Sequence, residues 1–348
     1  MPGRGAVLTS TAEPLSRWTT LRLGGPPRAF AEVSSRAELY DRVASADEAG
    51  TPVLVLGGGS NLVVSDDGFD GLAVHVGSRG QEASADACSG AQLTVDAGED
   101  WDELVARTVD EQWVGVEALS GIPGTVGAVP IQNVGAYGQE VSDTIASVDV
   151  FDRVQRRTRT MFATDCRFGY RTSVFKQEPG RYVVGAVTFS LRLGDLGEAI
   201  RYGELAGVLG VPVGTRVPSV DVRRAVLELR SSKGMVLDAD DRDTWSAGSF
   251  FTNPFVAPGE VPAGAPAYPQ PDGRVKTSAA WLIEQAGYGK GYGNDRVRIS
   301  TKHSLALTNR GGAATSDLLA LAAEIRDGVR RRFAITLQPE PVCVGCAL

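Results

Sequence analysis

The stretch Pro52-Val-Leu-Val-Leu-Gly-Gly-Gly-Ser-Asn61 joins a short apolar run to three consecutive glycines. The apolar run at 52–56 predicts a buried β-strand. Glycines that follow a strand expose successive backbone N–H groups, and such groups suit a pyrophosphate. The segment is not a P-loop, because no Gly-Lys-Ser/Thr follows, and Leu62 stands where a Rossmann fingerprint has its last glycine. Taken alone, a plain hairpin turn is an equal alternative.

A second glycine-rich region runs from Gly121-Ile-Pro-Gly-Thr-Val-Gly127 to Gln132-Asn-Val-Gly-Ala-Tyr-Gly138. A long segment with few core-forming residues is usually either functional or disordered. The apolar side chains of Ile122, Val126 and Ile131 argue against disorder. Two such loops in one chain fit a large phosphate-bearing cofactor such as a dinucleotide.

Helix and strand patterns interleave along the chain, which predicts an α+β or mixed α/β fold. Helices are expected after the caps Ser35 and Asp100, over 218–230 and 277–285, and after Thr315 or Ser316. Strands are expected at 62–65, 93–97, 148–151, 182–191 and 303–309. Residues 254–274, rich in Pro, Gly and Ala, predict an exposed connection, and 287–293 predict a mobile glycine loop.

Composition limits the class of protein. The length of 348 residues suits two or three domains, and 43% hydrophobic with 22% charged residues is ordinary for a soluble protein. A net charge of −7 disfavours general binding to nucleic acid or to an anionic membrane. No apolar run approaches the ~20 residues of a membrane helix. Residues 1–14 lack the long apolar stretch of a secretory signal. Four cysteines in a chain this long do not make a disulfide scaffold, so a reducing cytoplasm is expected.

The cysteines and histidines predict no metal site. Cys88 and Cys166 are expected to be buried thiols, and the single pair in Cys343-Val-Gly-Cys346 is too few ligands for tetrahedral zinc. We expect this pair to be incidental or peripherally redox-active. The chain has only two histidines, which limits zinc enzymes and histidine-based triads; His75 is expected to be structural, and His303 is a weak candidate for binding.

Three further motifs place reactive side chains in defined settings. Gly169-Tyr-Arg-Thr-Ser173 contains Arg171, Ala247-Gly-Ser-Phe-Phe-Thr-Asn-Pro254 contains Ser249, and Pro339-Glu-Pro341 contains Glu340. Each also has an ordinary interpretation: a surface arginine, a core hydroxyl and an exposed carboxylate. Because Gly-x-Ser-x-Gly is absent and histidines are scarce, Ser249 is better suited to proton donation than to acyl transfer.

In this order and spacing, these motifs resemble the UDP-N-acetylenolpyruvoylglucosamine reductases, the MurB family. The resemblance runs from Thr20-Leu-Arg-Leu-Gly-Gly25 to Leu337-Gln-Pro-Glu340, nearly the whole chain. It also includes Cys166-Arg-Phe-Gly-Tyr-Arg171 and Arg230-Ser-Ser-Lys233. Each motif is weak alone, and their joint order carries the resemblance. The tail Pro341-Val-Cys343 departs from what we expect of close relatives.

The resemblance implies an α+β fold: a two-subdomain FAD-binding fold of the PCMH/vanillyl-alcohol-oxidase-like type with a separate α+β substrate-binding domain. The implied boundaries are 1–77 with 335–348, 78–229 and 230–334. FAD would be held non-covalently, with Arg230 in contact with it and its flavin lined by Ile131, Val134 and Gly135. The implied pyrophosphate residues are Gly57, Gly58, Gly59, Ser60, Asn61, Ile122, Pro123, Gly124, Thr125 and Gly127.

The implied activity is that of a UDP-N-acetylmuramate dehydrogenase of peptidoglycan precursor synthesis. NADPH would reduce FAD, and flavin N5 would pass a hydride to UDP-N-acetylglucosamine-enolpyruvate. Arg171 would stabilise the negative charge that develops, Glu340 would donate a hydrogen bond or act as an acid, and Ser249 would protonate the carbanionic carbon. The segment Tyr202-Gly-Glu-Leu205 resembles the tyrosine loop of the family's first type. The implied substrate-binding residues are Tyr170, Tyr202, Lys233, Asn253 and Gln285.

Two other functions are compatible with parts of the sequence. One is a different FAD oxidoreductase on the same scaffold, such as a hydroxy-acid oxidase, which leaves the motif around Ser249 unexplained. The other is a non-catalytic protein that binds a nucleotide sugar or a flavin. The presence of Arg171, Ser249 and Glu340 together argues against the second, because binding alone needs no proton donor. We expect a monomer.

Overall fold

The structure is a computed structural model that describes residues 13–348. The prediction of no secretory signal in residues 1–14 falls almost entirely outside the described residues. The described helices are α1 (Arg36–Glu48), α2 (Trp101–Asp110), α3 (Val174–Gln177), α4 (Gly203–Leu209), α5 (Ser219–Ser232), α6 (Ala279–Gln285) and α7 (Thr315–Phe333).

The described strands interleave with these helices, which confirms the predicted α+β class. They are β1 (Pro27–Val33), β2 (Val53–Leu56), β3 (Leu62–Val64), β4 (Phe69–Val76), β5 (Gln81–Asp86), β6 (Gly90–Asp96), β7 (Trp113–Val114), β8 (Gly135–Ala136), β9 (Gln139–Glu140), β10 (Ile145–Asp152), β11 (Arg157–Phe162), β12 (Tyr182–Leu193), β13 (Phe255–Val256), β14 (Ala267–Pro269), β15 (Val275–Thr277), β16 (Val297–Ile299), β17 (Leu307–Asn309) and β18 (Val342–Val344).

The described chain divides into two compact units. The first contains 27–58 and 70–231, and the second contains 13–26, 59–69 and 232–348. The division passes between Gly58 and Gly59, so the Gly57–Asn61 segment is shared between the units. The finer boundaries at 77, 229 and 334 stay predictions.

Among the described residues, the first unit has two larger sheets beside the short β8–β9 pair. The smaller has the strand order β1-β4-β2, and the larger has the order β11-β10-β12-β6-β5 with antiparallel neighbours. Trp101, Leu104 and Phe189 are among the side chains of its buried core. Strand β2 pairs in parallel with β4 and not with β3. The hairpin alternative for the glycines after β2 is therefore wrong.

The two caps predicted in the first unit are confirmed. Ser35 Oγ accepts from the Glu38 amide at 3.2 Å, and Asp100 Oδ1 accepts from the Glu103 amide at 2.9 Å. Each occupies the position before its helix and satisfies an amide that the helix leaves open. Caps of this kind contribute about 1 kcal/mol each.

The second unit packs around helix α7. Strand β18 pairs in parallel with β3, while β13, β15 and β14 form a small antiparallel sheet. Its core includes Phe250, Phe251 and Leu337. The predicted apolar face of α7 is confirmed, with these residues buried: Leu318, Leu321, Ala322, Ile325 and Val329.

Several local predictions for the second unit are wrong in part. The stretch 254–274 is largely exposed as predicted, but it contains the short strands β13 and β14. Residues 303–306 form a turn, closed by Ala306 N donating to His303 O at 3.2 Å, so the strand begins only at Leu307. Thr277 belongs to β15, and α6 begins at Ala279.

Helix α7 is capped from a distant part of the chain. Neither Thr315 nor Ser316 is the cap; Ala314 holds that position. The Asp66 carboxylate accepts from the Thr315 amide at 2.6 Å and from the Ser316 amide at 3.0 Å. An acceptor about 250 residues away leaves no local signal in the sequence.

The cysteine predictions are half right. Cys166 is buried as expected, and burial raises the pKa of its thiol to about 12. Cys88 is exposed, because it lies in the turn after β5, where its amide donates to Asp86 at 2.8 Å. In the described part of the chain, no helix is both long and apolar enough to cross a bilayer. No group of three or more potential metal ligands was found in residues 13–348.

Candidate functional site

The two glycine-rich segments predicted to hold phosphate lie against each other in the first unit. A Cβ built on Gly57 would come within 2.3 Å of Thr125 Oγ1, and one on Gly58 within 2.8 Å of Gly124 Cα. Only residues without a side chain permit this approach. The uncovered backbone of two such segments is a cradle that suits a pyrophosphate, so these residues fit the implied cofactor.

Backbone hydrogen bonds fix the second segment on the start of α2. Trp101 N donates to Gly124 O at 3.1 Å, and Gly127 N donates to Ala97 O at 2.9 Å. Thr125 forms an isolated antiparallel bridge with Asp100. The segment 124–127 is therefore held along residues 97–101, while Ile122 and Pro123 are half-buried beside it.

Asp102 anchors the entry to this segment. Its carboxylate accepts from the Gly121 amide at 2.6 Å and from two nitrogens of Arg223 at 2.6 and 3.0 Å. Burial raises the pKa of Asp102, but the hydrogen bonds from Arg223 and Gly121 outweigh it and hold the pKa below its usual value. Sequence reasoning missed this pair, because an acidic residue in the first turn of a helix is common.

Arg171 lies at the tip of a tight turn in the first unit. The amides of Gly169 and Thr172 donate to each other's carbonyl at 3.0 and 3.1 Å, and Arg171 adopts the left-handed φ of 52°. Its Nη2 donates to Gly135 O at 2.7 Å. Its guanidinium lies 5.8 Å from the ring centroid of Tyr170. The structure thus joins the predicted charge-stabilising arginine to a predicted flavin-lining residue.

The loop around Gly135 is held by polar side chains that the sequence did not single out. Buried Asn133 donates through Nδ2 to Glu140 Oε2 at 2.7 Å and to Gly169 O at 3.1 Å. Ser173 Oγ donates to Ile131 O at 2.5 Å. Both contacts tie the loop to the turn that carries Arg171. Of the predicted flavin-lining residues, Ile131 is 37% exposed and Val134 is buried.

Glu117 is a second buried anchor of the same loop region. It is 1% exposed and accepts from Gly115 N at 2.8 Å, Gln139 Nε2 at 2.9 Å and Glu198 N at 2.6 Å. Gln139 in turn accepts from the Ala118 amide at 2.8 Å. A buried carboxylate needs such donors. No pattern in the sequence separates Glu117 from a surface glutamate.

Arg230 lies buried on α5 in an unusual electrostatic setting. Burial lowers the pKa of its guanidinium to about 10; nearby Tyr137 and Asp102 oppose this shift, and Arg171 adds to it. Arg230 therefore remains cationic at neutral pH. The Tyr137 ring meets the Tyr202 ring edge-on at 5.8 Å, and Tyr202, at the start of α4, is 49% exposed. The first unit thus brings Arg230 close enough to Arg171 for their charges to interact, and it places Tyr202 against Tyr137.

In the second unit, the segments that carry Ser249 and Glu340 are far apart in sequence but lie next to each other. Glu340 N donates to Phe250 O at 2.8 Å, and Phe251 forms an isolated bridge with Pro339. Phe250 and Phe251 are both 1% exposed and anchor the segment in the core, while Ser249 is half-buried. The two predicted proton-handling residues of this unit are therefore neighbours.

Ser249 also has a histidine partner. His303 Nε2 lies 3.4 Å from Ser249 Oγ, and both side chains are half-buried. Ser249 bridges Ala306, at the end of the turn that carries His303. The weak binding role predicted for His303 did not include this contact.

The remaining predicted residues of the second unit are spread over several elements. Asn253 Oδ1 accepts from the Ala279 amide at 2.9 Å, at the start of α6. Gln285 is exposed at the end of that helix, and Lys233, directly after α5, is half-buried. Gly59 and Asn61 are held through their carbonyls, which accept from Thr20 N at 3.3 Å and Val342 N at 2.9 Å. Ser60 is half-buried between them.

Two family descriptions match this chain. "FAD binding domain" matches residues 27–156, and "UDP-N-acetylenolpyruvoylglucosamine reductase, C-terminal domain" matches residues 240–344. These matches agree with the predicted fold class, an FAD-binding fold of the PCMH/vanillyl-alcohol-oxidase-like type with a separate α+β domain.

Named relatives align with almost the full chain. The UDP-N-acetylenolpyruvoylglucosamine reductase of Thermobifida fusca is 56% identical, with 96% of this chain and 98% of the relative covered. That of Cutibacterium acnes is 54% identical, with 96% and 90% covered. The crystal structure of the reductase (MurB) from Thermus caldophilus superposes with a TM-score of 0.64 at 26% identity, covering 95% of this chain and 97% of that one.

Proposed function

This chain belongs to the UDP-N-acetylenolpyruvoylglucosamine reductase family, an FAD-binding oxidoreductase family of peptidoglycan precursor synthesis, and from that premise we propose that it uses NADPH to reduce UDP-N-acetylglucosamine-enolpyruvate to UDP-N-acetylmuramate in the cytoplasm. The observation that carries the proposal is an identity above one half along nearly the whole chain. The packed glycine cradle of the first unit supports the cofactor part independently.

The glycine segments hold the cofactor in this proposal. Gly57, Gly58 and Gly124 would offer backbone N–H groups to the pyrophosphate, and residues 131–135 would hold the flavin. Arg230, cationic and buried, offsets negative charge on the flavin or the phosphates. When bound there, FAD would supply the hydride chemistry that links the nicotinamide to the vinyl group of the substrate.

Arg171 stabilises the charge that develops on the substrate. Addition of a hydride to the terminal vinyl carbon leaves negative charge on the adjacent carbon and its carboxylate. A guanidinium donates two parallel hydrogen bonds to a carboxylate and keeps its charge at every working pH. The hydrogen bond from Arg171 Nη2 to Gly135 O fixes its orientation in advance, as electrostatic stabilisation of a transition state requires.

Ser249 delivers the final proton. Its hydroxyl is a weak acid, but a carbanion next to a carboxylate is a much stronger base, so the transfer is downhill. In its protonated form, Glu340 donates a hydrogen bond to the substrate carboxylate. The hydrogen bond from Glu340 N to Phe250 O holds the backbone of Glu340 next to the segment that carries Ser249.

Polar residues from several segments bind the nucleotide end of the substrate. Lys233 pairs with a phosphate as a point charge, and Asn253 and Gln285 supply amide hydrogen bonds. Tyr202 and Tyr170 provide aromatic surfaces with a polar tip. Tyr202 is 49% exposed, so its ring is accessible to a substrate.

Isotope labelling tests the proposed reaction. The protein is incubated with the enolpyruvyl sugar and NADPH in deuterium oxide, and the product is analysed by mass spectrometry and NMR. We expect the lactyl ether product with a solvent deuteron on the carbon next to the carboxylate. The hydrogen added to the new methyl group passes through an exchangeable flavin N–H, so its isotope is not part of the test. Oxidation of NADPH without this product would overturn the proposal in favour of a different flavin oxidoreductase.

A further inference from the structure

We propose that His303 is the proton-relay partner of Ser249: its imidazolium Nε2–H donates to Ser249 Oγ and passes its proton there as Ser249 protonates the substrate carbon. The proposal rests on the proposed function, because it concerns the same protonation step. His303 acts through Ser249 and is therefore a positioning and relay residue. The geometric basis is the 3.4 Å approach of His303 Nε2 to Ser249 Oγ.

The backbone holds the two residues together. Ser249 forms an isolated antiparallel bridge with Ala306, and Phe250 N donates to Leu305 O at 2.8 Å. These contacts lay the turn that begins at His303 against the serine segment. A separation of 3.4 Å is long for a hydrogen bond, and catalytic hydrogen bonds of ligand-free enzymes commonly shorten when the substrate binds.

The turn that carries His303 is fixed from its other side. His303 N donates to Ser300 Oγ at 3.3 Å, and Ser300 is fully buried. Lys302 Nζ donates to Asp241 at 2.6 Å, and Thr301 N donates to Asp243 at 3.1 Å. The backbone that carries the imidazole is therefore fixed, and the ring, which is only half-buried, can regain a proton from water.

The relay prevents Ser249 from being left as an alkoxide after it gives up its proton. If Ser249 alone gave its proton, an alkoxide would be left in a half-buried site, where an unneutralised charge is costly. With His303, the O–H bond of Ser249 breaks as the new C–H bond forms, and the N–H bond of His303 breaks as the O–H bond is restored. Neutral imidazole then takes a proton from solvent. Free imidazole titrates near pH 6.5, which suits a donor of this kind.

Nitrogen NMR tests the contact without turnover. The chain has only two histidines, so His75→Gln assigns both imidazoles by elimination. We expect Ser249→Ala to shift the ring nitrogen resonances of His303 and to leave those of His75 unchanged, because His75 contacts Glu32 in the first unit. Unchanged His303 resonances in Ser249→Ala would overturn the proposal.

Isotope kinetics test the relay. In His303→Gln, the amide can hold the serine hydroxyl but cannot pass on a proton. We expect bleaching of the flavin by NADPH to proceed at the wild-type rate and its reoxidation by the enolpyruvyl sugar to slow by about 10²-fold. The dependence of the reoxidation rate on the deuterium fraction of the solvent should be more strongly curved in the wild type, where His303 adds one more moving proton, than in His303→Gln.

The outcomes separate this proposal from the function on which it rests. A wild-type protein that is not reoxidised by the sugar would contradict the proposed function. A wild type that is reoxidised, with His303→Gln showing the same rate and the same curvature, would contradict the relay alone. Should His303→Gln not fold, as judged by its thermal unfolding, the resonances of Ser249→Ala still decide the question.

Discussion

Arg171 Nη2 donates to the backbone oxygen of Gly135 at 2.7 Å. The contact spans 36 residues of sequence and joins the arginine turn to the glycine loop predicted to lie along the flavin. A Cβ on Gly135 would lie 3.3 Å from Arg171 Nη1, 3.0 Å from Gln139 O and 3.0 Å from Glu140 Cγ. The arginine is therefore oriented before any ligand arrives.

Arg171→Lys should slow the substrate half-reaction selectively. Lysine keeps the charge but loses the planar fork that donates to Gly135 and to a carboxylate at the same time. We expect reoxidation of reduced enzyme by the enolpyruvyl sugar to fall by about 10²–10³-fold, with bleaching by NADPH little changed. Stopped-flow absorbance measures both phases.

Arg167→Lys is the matched control for this change. Arg167 is also left-handed, at φ 48°, but it is exposed and pairs with Glu178. Both half-reactions should keep their wild-type rates in this variant. An equal loss of rate in the two variants would show that the effect of Arg171→Lys comes from a disturbed turn.

Gly58→Ala should release the cofactor. The added methyl group would lie 2.8 Å from Gly124 Cα, so the two glycine segments must separate. The expected result is purified protein with little flavin, read from the ratio of visible to ultraviolet absorbance. Gly207→Ala, in α4 with nothing within 4 Å of the added Cβ, is the control and should retain flavin with stability raised by about 0.5–1 kcal/mol. Full flavin content in Gly58→Ala would refute the proposal that the packed glycine segments bind the cofactor.

Asp102→Asn should destabilise the protein in a pH-dependent way. The pKa of Asp102 is held below its usual value in the folded state, so its contribution is fully present above the unfolded pKa of about 3.9. That contribution disappears as the pH falls through the folded pKa. We expect a loss of about 1 kcal/mol at pH 7, allowing for the partial exposure of the carboxylate. Urea unfolding at pH 7 and near pH 3 should show the difference shrinking at the lower pH; a constant difference would count against the ion pair.

The four thiols should differ in reactivity. Cys88 is exposed, whereas burial raises the pKa of Cys166 to about 12 and that of Cys343 to about 11, which suppresses the reactive thiolate. Native protein treated with a maleimide at neutral pH should first gain one adduct, at Cys88, in peptide mass spectra. Cys343→Ser with Cys346→Ser should leave flavin content and turnover unchanged. Loss of turnover in that double variant would contradict an incidental pair.

Features encoded by neighbouring residues were predictable. Ser35 and Asp100 cap their helices as the sequence indicated. The glycines at 57–58 and 124, which the family resemblance assigned to one pyrophosphate, lie against each other. Contacts that depend on the assembled fold were not. Asp66 caps a helix about 250 residues away, and Glu117 collects three donors from separate segments. No pattern within a short window distinguishes these carboxylates from solvated ones.

The most direct test of the account follows the visible flavin band of the purified protein without oxygen. NADPH should bleach the band, and after removal of excess reductant one equivalent of UDP-N-acetylglucosamine-enolpyruvate should restore it stoichiometrically. That result would place both half-reactions on this protein. A band that is bleached by NADPH and stays bleached in the presence of the sugar would contradict the account and indicate a flavoprotein with another electron acceptor.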